Sequence, residues 1–185
     1  MPSDPRAAAS ASRDPERPTP LLGLSLPELA QALGPLARER FRPAQVSRWM
    51  TERRARSFDE MTDLPAALRS ALADRFVVGL PEVETRTEAE DGAEKFLFRL
   101  ADGAKVEAVF LPAPRRRSSG TTERVTVCVS SQAGCAVNCA FCVTGRMGAG
   151  RNLTAGEILG QYLVVAREKG FGPRAANVVF MGMGE

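Results

Sequence analysis

Val125-Thr126-Val127-Cys128-Val129-Ser130-Ser131-Gln132, running into Ala133-Gly134-Cys135-Ala136-Val137-Asn138-Cys139-Ala140-Phe141-Cys142, is the stretch on which the fold turns. Its first part alternates, with Val125, Val127 and Val129 on one face of a strand and Thr126, Cys128 and Ser130 on the other. After the cysteine-rich loop, Thr154-x-x-Glu157 makes a capping box. The helix it opens carries Ile158, Leu159, Tyr162, Leu163 and Ala166, and Gly170 ends it. Asn177 to Met181 then reads as a buried strand. Strand, helix and strand at this spacing form a βαβ unit, which requires a parallel pair and a right-handed crossover. The expected class is therefore α/β. A parallel sheet needs more strands than this to cover both faces, and the sequence stops at Met183-Gly184-Glu185, so the chain is expected to be a fragment of a longer protein.

Working outward toward the N-terminus, Lys95 to Leu100 and Lys105 to Leu111 flank Asp102-Gly103, the signal of a β-hairpin. Ala113 to Arg124, with the run Arg115-Arg116-Arg117, reads as an exposed loop. Three helices are predicted before the hairpin. Ser25-Leu26-Pro27-Glu28 has capping-box spacing ahead of Leu29, Ala30 and Leu33, and Gly34-Pro35 stops that helix. A second runs from Pro43 to about Arg54 with Val46, Trp49 and Met50 inward, and a third starts near Pro65 with Leu68, Leu72 and Phe76 inward. The first 20 residues carry five prolines without periodicity and read as a disordered tail. The domain reading is a tail over 1–19, a small helical accessory domain of RNA-binding type over 20–80, a hairpin and loop over 81–123, and the start of the α/β core over 124–185.

Composition narrows the chemistry. The chain has no apolar run near the ~18 residues of a membrane span and no apolar signal core at its N-terminus, so a membrane or secreted protein is excluded and the cytoplasm is expected. It has no histidine, which removes Ser-His and Cys-His catalysis and imidazole-held zinc or haem. Net charge is +3, with 22 Arg against 3 Lys. Seven of those Arg lie between Arg38 and Arg56 (38, 40, 42, 48, 53, 54, 56) against Glu39 and Glu52, while Glu82 to Glu94 is acidic. The cluster is either a solvated face or a phosphate-contacting patch. Trp49 and Met50 read as core rather than as an RNA-stacking surface.

The four cysteines are Cys128, Cys135, Cys139 and Cys142, the last three in C-x3-C-x2-C with Phe141 before the third. A disulfide framework does not suit a cytosolic chain, and structural zinc prefers paired C-x2–4-C knuckles. Three thiolates on one tight loop suit a cubane iron–sulfur cluster with one iron left open. The loop follows the first strand of the βαβ unit, at the end of a parallel strand where catalytic groups collect. Gly182-Met183-Gly184-Glu185 follows the second strand and belongs at the same rim, where glycine admits close backbone approach and the carboxylate suits an ammonium group.

These motifs resemble the radical S-adenosylmethionine (SAM) signature. More specifically, Val127 through Cys142, Arg151-Asn152-Leu153-Thr154 and Met181-Gly182-Met183-Gly184-Glu185 resemble the bacterial dual-specificity RNA adenine C2-methyltransferases, as do Leu21-Leu22-Gly23-Leu24 and Phe58-Asp59-Glu60-Met61-Thr62 in the helical module. The resemblance implies a truncated radical SAM (β/α) partial barrel, a [4Fe-4S] cluster on Cys135, Cys139 and Cys142, and SAM contacted by Gly184 and Glu185. It also implies a 5′-deoxyadenosyl radical acting on a methylated cysteine outside this chain, and transfer of that carbon to C2 of adenine in 23S rRNA and in tRNA. Cys128 corresponds to the thiol that resolves the protein–RNA adduct through a disulfide, and Glu107 to a proton acceptor. A small electron donor such as flavodoxin and a monomeric state are expected. Taken singly, Cys128 reads as a buried strand thiol, Glu107 as a solvated strand residue, and Gly184-Glu185 as a strand-ending turn. The alternatives are the sister reaction at C8 of the same rRNA adenine, and a non-catalytic RNA-binding module holding a structural metal. Ala149 stands where the resemblance calls for a bulkier residue. The 185-residue chain on its own is expected not to methylate RNA.

Overall fold

A computed structural model describes residues 18–113, 124–146, 148, 150–172 and 176–185. The tail up to residue 17, the Arg115-Arg116-Arg117 run and Ala149 lie outside the described residues.

The described chain begins with a correction. Thr19–Pro20, placed by sequence at the end of the tail, forms a short strand β1 that pairs in parallel with β2, Phe76–Val77. Main-chain hydrogen bonds continue the pairing, from Leu21 N–H to the Val77 carbonyl at 3.0 Å and from Leu22 N–H to that of Val78 at 2.9 Å. Prolines and small polar residues conceal this from composition, because the pairing is supplied by a partner far along the chain.

Between these strands lie three helices. Helix α1, Leu26–Leu33, carries the expected capping box: the Ser25 hydroxyl accepts from Glu28 N–H, and the Glu28 carboxylate accepts from Ser25 N–H at 2.8 Å. Gly34, at φ +48°, turns the chain out of it. Helix α2, Arg42–Thr51, buries Pro43, Val46, Trp49 and Met50. Helix α3, Ala66–Ala73, buries Leu72 and half-buries Leu68. It stops before Phe76, which fills the same core from β2 instead. Leu21, Leu29, Leu33, Val46, Met61 and Leu72 sit fully inside this module.

The remaining strands form one five-stranded sheet in the order β3-β4-β5-β6-β9. Strands β4, Glu94–Arg99, and β5, Lys105–Leu111, are the expected hairpin, with Arg99 opposite Lys105. Strand β3, Glu82–Glu88, is an addition to the sequence reading: its charged side chains and a register shift between Val83 and Thr85 leave no regular apolar alternation to read. It is an edge strand, where charge is tolerated and discourages further pairing, and Glu82 and Glu84 reach across to Arg99 and Lys105. Strand β6, Val125–Cys128, pairs antiparallel with β5 and parallel with β9, Ala176–Val179. The hairpin is thus continuous with the core rather than a unit apart. Two further short strands, β7 (Gln132–Ala133) and β8 (Arg151–Asn152), pair antiparallel.

The long helix α5, Ala155–Glu168, covers one sheet face. Its Val164 and Val165 pack with Phe96, Phe98, Val106, Phe110, Val127 and Val129. The expectation of a buried strand at Asn177 to Met181 is corrected: Val178 is 45% exposed, Phe180 55% and Met181 69%. Strand β9 is a sheet edge, and no described element lies beyond it to cover these side chains. Among the described residues no helix is long and apolar enough to cross a membrane.

The module and the sheet meet at α5. Leu163 of α5 sits in the helical module's core. At its first turn the backbone of Gly156 lies against that of Leu22 and Gly23, so close that a Cβ on Gly156 would fall 2.2 Å from the Leu22 carbonyl oxygen. Gly-to-Ala in a helix ordinarily stabilises. Here Gly156→Ala is expected to destabilise by about 1–3 kcal/mol through overpacking. Thermal unfolding reads this, and an unchanged or raised Tm would remove the close contact from the account.

Candidate functional site

Because β6 and β9 are parallel, the loops that follow them emerge at one edge of the sheet. The first loop carries the cysteines on an excursion closed at its base by the β7–β8 pair, Gln132 opposite Asn152 and Ala133 opposite Arg151. The Gln132 side chain holds both sides of that neck, donating to Asn152 Oδ1 at 2.9 Å and accepting from Ala136 N–H at 3.1 Å. Gly150 makes the neck possible, since any Cβ there would collide with the Ala133 carbonyl.

Within the excursion Cys135 is buried, while Cys139 and Cys142 are partly exposed. Cys142 N–H donates to the Cys139 carbonyl at 3.1 Å, and the short helix α4, Val143–Arg146, begins directly after Cys142. Backbone N–H groups of Gly145 and Thr144 point at the Cys142 sulfur and lower its pKa. Phe141 is 92% exposed. Among the described residues, no group of three or more His, Cys, Asp or Glu converges on a point where a metal ion could sit.

The second loop, Met181 to Glu185, is hydrogen-bonded to the first. Gly182 N–H donates to the Val129 carbonyl at 3.2 Å, and the N–H groups of Ser131 and Gln132 donate to the Met183 carbonyl at 2.8 and 3.0 Å. Gly184, at φ +109°, lies so near Ser131 that a Cβ would fall 2.4 Å from its hydroxyl oxygen. The Cys135 thiol donates to the Glu185 carbonyl at 3.8 Å, so the structure brings one of the three loop cysteines against the Gly184-Glu185 pair.

Glu107 and Cys128 share a sheet face. Cys128 is opposite Val109, and Glu107 precedes Val109 by two residues on β5. The Glu107 carboxylate pairs with Lys95 Nζ at 3.0 Å. Burial pushes the Cys128 thiol up, opposed by the backbone N–H of Met181 and reinforced by the Glu185 carboxylate, so it stays protonated at neutral pH.

Of two residues that hold the site together, Gln161 was absent from the sequence reading of function and Arg151 entered it only within the Arg151-Asn152-Leu153-Thr154 motif, with no role given. Gln161 of α5 is fully buried. Its Oε1 accepts from Ser130 N–H at 2.9 Å, and its Nε2 donates to the Ser130 carbonyl at 3.0 Å and the Glu157 carbonyl at 3.2 Å. The Ser130 hydroxyl donates to the Glu107 carbonyl at 2.6 Å and accepts from Met183 N–H at 3.0 Å. The available signal was a single amide among apolar residues, Ile158, Leu159, Tyr162 and Leu163. Arg151 makes a second tie. Its guanidinium pairs with Glu157 at 2.6 Å and donates to Asp102 in the hairpin turn at 2.8 Å. Burial raises the cost of charge on Glu157, but Arg151 and the capping N–H of Thr154 outweigh it and hold the carboxyl below its ordinary value.

Comparisons with known proteins match most of the chain. Residues 19–78 match the family described as the ribosomal RNA large subunit methyltransferase N-terminal domain. The dual-specificity RNA methyltransferase RlmN of Halorhodospira halophila is 49% identical over 168 residues, 91% of this chain and 44% of that protein. The RlmN of Nitratidesulfovibrio vulgaris is 49% identical over 172 residues, 90% of this chain and 46% of its own. The crystal structure of a radical SAM methyltransferase from Sphaerobacter thermophilus superposes with a TM-score of 0.78 at 41% identity, over 91% of this chain and 48% of that one. Over nine-tenths of its length the chain is similar to RlmN proteins and to a radical SAM methyltransferase, and residues 19–78 carry the N-terminal domain of the family. It spans about half the length of the curated relatives it matches. Consistent with a partial barrel, the sheets among the described residues are not closed into one.

Gln161→Leu leaves the Ser130 N–H and carbonyl buried without partners, and is expected to cost about 1–3 kcal/mol for each group orphaned. Urea unfolding measures it, and a change within about 0.5 kcal/mol would mean the clamp carries no weight. For Glu157 the depressed pKa sets the sign: its contribution is complete above the ordinary value of 4.5 and is lost as pH falls through the lowered one. Stability of the wild type should therefore fall below pH 4.5 more steeply than that of Glu157→Gln. Parallel profiles would contradict it.

Proposed function

We propose that this chain supplies the RNA-facing module and the cofactor rim of an enzyme that methylates C2 of adenine in 23S rRNA and tRNA. The observation that supports this best is the pair of loops at one sheet edge: the cysteine excursion and Gly182 to Glu185, hydrogen-bonded to each other through Ser131, Gln132 and Met183.

The donor set fits an iron–sulfur cluster. Cys135, Cys139 and Cys142 are soft thiolate donors on one loop with no histidine to compete, and Cys142 is held toward its thiolate form. These three would hold the group. When bound, a [4Fe-4S] cluster supplies an electron and an open iron for the amino and carboxylate groups of SAM.

The chain's own residues do the rest. Gly184, lacking a Cβ, lets backbone come close to the SAM amino acid moiety, and the Glu185 carboxylate takes its ammonium. Cys128 is held as a protonated thiol next to the rim and has to give up that proton before its sulfur can attack and resolve a protein–RNA adduct late in the reaction. Glu107, on the same face, accepts the proton released from the adenine adduct. Lys95 steadies that carboxylate in place. The whole enzyme would draw electrons from a small donor such as flavodoxin and work in the cytoplasm.

Anaerobic reconstitution with iron and sulfide tests this. A brown protein with about four iron and four sulfide, whose electron paramagnetic resonance spectrum shifts on adding SAM, is expected. Cys135→Ala, Cys139→Ala and Cys142→Ala should each bind much less iron. A colourless protein, or one holding a single zinc, would overturn the proposal. In the full-length enzyme, mass spectrometry placing the methyl group on C8 would reassign the chemistry to the sister reaction.

A further inference from the structure

The seven arginines between Arg38 and Arg56 divide into two sets in the structure. Arg42 pairs with Glu39 at 3.2 Å, Arg54 donates to the Ala166 and Phe171 carbonyls at 2.8 and 2.5 Å, and Arg56 pairs with Glu168. These three hold the module to itself and to α5. Arg38, Arg40, Arg48 and Arg53 remain exposed. Among the described residues, Arg38 and Arg40 make no ion pair, and Arg48 has only an exposed partner, Glu52, at 3.8 Å. The Arg53 guanidinium lies over the Trp49 ring, 4.3 Å from its centre.

Two of these exposed cations, Arg48 and Arg53, line a cavity of about 250 Å³ together with Phe41, Gln45, Trp49 and Asp63, and Arg38 and Arg40 lie just before Phe41 in the chain. That is the room of about eight liquid waters, the size of one flat heterocycle. Phe41 at its mouth is 58% exposed, with Arg42 over one ring face. Opposed aromatic and guanidinium planes are what an unstacked base requires. Asp63 receives the Trp49 indole N–H at 2.5 Å, and the nearby positive charge of Arg53 helps keep it ionised. A carboxylate has further acceptor capacity and suits the exocyclic amine of adenine, guanine or cytosine better than the carbonyls of uracil.

We propose that the helical module binds single-stranded RNA by taking one amino-bearing base into the pocket of Phe41, Trp49, Arg53 and Asp63, with Arg38, Arg40 and Arg48 on the flanking phosphates. The inference rests on the reading above for RNA as the polyanion, and gives that partner a specific contact point away from the cysteine rim. Charge alone would serve a duplex equally; the open aromatic and the carboxylate point to an exposed base.

Trp49 is the single tryptophan of the chain, so its fluorescence reports on this pocket. Single-stranded oligoadenylate should quench it and bind more tightly than oligouridylate, with affinity falling as salt rises. Phe41→Ser removes an exposed ring, so the circular dichroism spectrum should be unchanged while oligoadenylate binding weakens about tenfold. Arg53→Gln should do the same. Equal binding by wild type and both variants would overturn the pocket while leaving the RNA-modifying reading intact. Equal quenching by polyglutamate would assign the patch to an acidic polypeptide and overturn it too. The measurement is of binding alone, so failure of cluster assembly or SAM binding leaves its result standing.

Discussion

The amide of Gln161 has a donor and an acceptor side by side, the arrangement of a peptide group, and it meets the N–H and carbonyl of Ser130 as a neighbouring strand would. Strand β6 has ended at Cys128, and Ser130 is fully buried, so without that side chain two main-chain groups would be stranded away from water. The clamp extends the order of the sheet into a segment with no ladder of its own. The Ser130 hydroxyl then passes it on, to the Glu107 carbonyl on one side and the Met183 N–H on the other. The spacing between the cysteine loop and Gly182 to Glu185 therefore depends on a helix as well as on the hydrogen bonds between the two loops.

Helix α5 serves as the common support. Its first turn, through Glu157 and Arg151, fixes the exit of the cysteine excursion and ties it to the hairpin turn at Asp102. Its middle holds Ser130. Its last turns face the helical module, where the Ala166 carbonyl accepts from Arg54, and Glu168 pairs with Arg56 and Arg86. The arginine-bearing module and the cysteine-bearing rim are packed on the same fourteen-residue element. Glycine at position 156 lets the two come together closely at its N-terminal end.

Much of the fold was legible. Capping boxes at Ser25 and Thr154, the stop at Gly34, the hairpin across Asp102-Gly103 and the β6–α5–β9 unit are written in neighbouring residues. Each rests on interactions within a few positions. The misreadings share a cause. Thr19–Pro20 and Glu82–Glu88 are strands because a partner elsewhere pairs with them, against their composition. Val178, Phe180 and Met181 have the composition of buried residues, yet the sheet ends at their strand. Phe76 has the right spacing for α3, but the helix stops short of it and it enters the core from β2.

For the site, the sequence alone determined the reactive vocabulary: thiols at Cys135, Cys139 and Cys142, a glycine-rich turn ending in Glu185, and no imidazole. It also determined their order along a strand–helix–strand unit, because spacing and periodicity are properties of a short window. Only the tertiary structure decided that Gln161 grips Ser130 across 31 residues, that Arg151 joins Asp102 to Glu157, and that Arg42, Arg54 and Arg56 of the seven arginines are tied into the module and α5. Those choices are made by packing through space, where a buried polar group takes whichever partner the folded chain brings within reach.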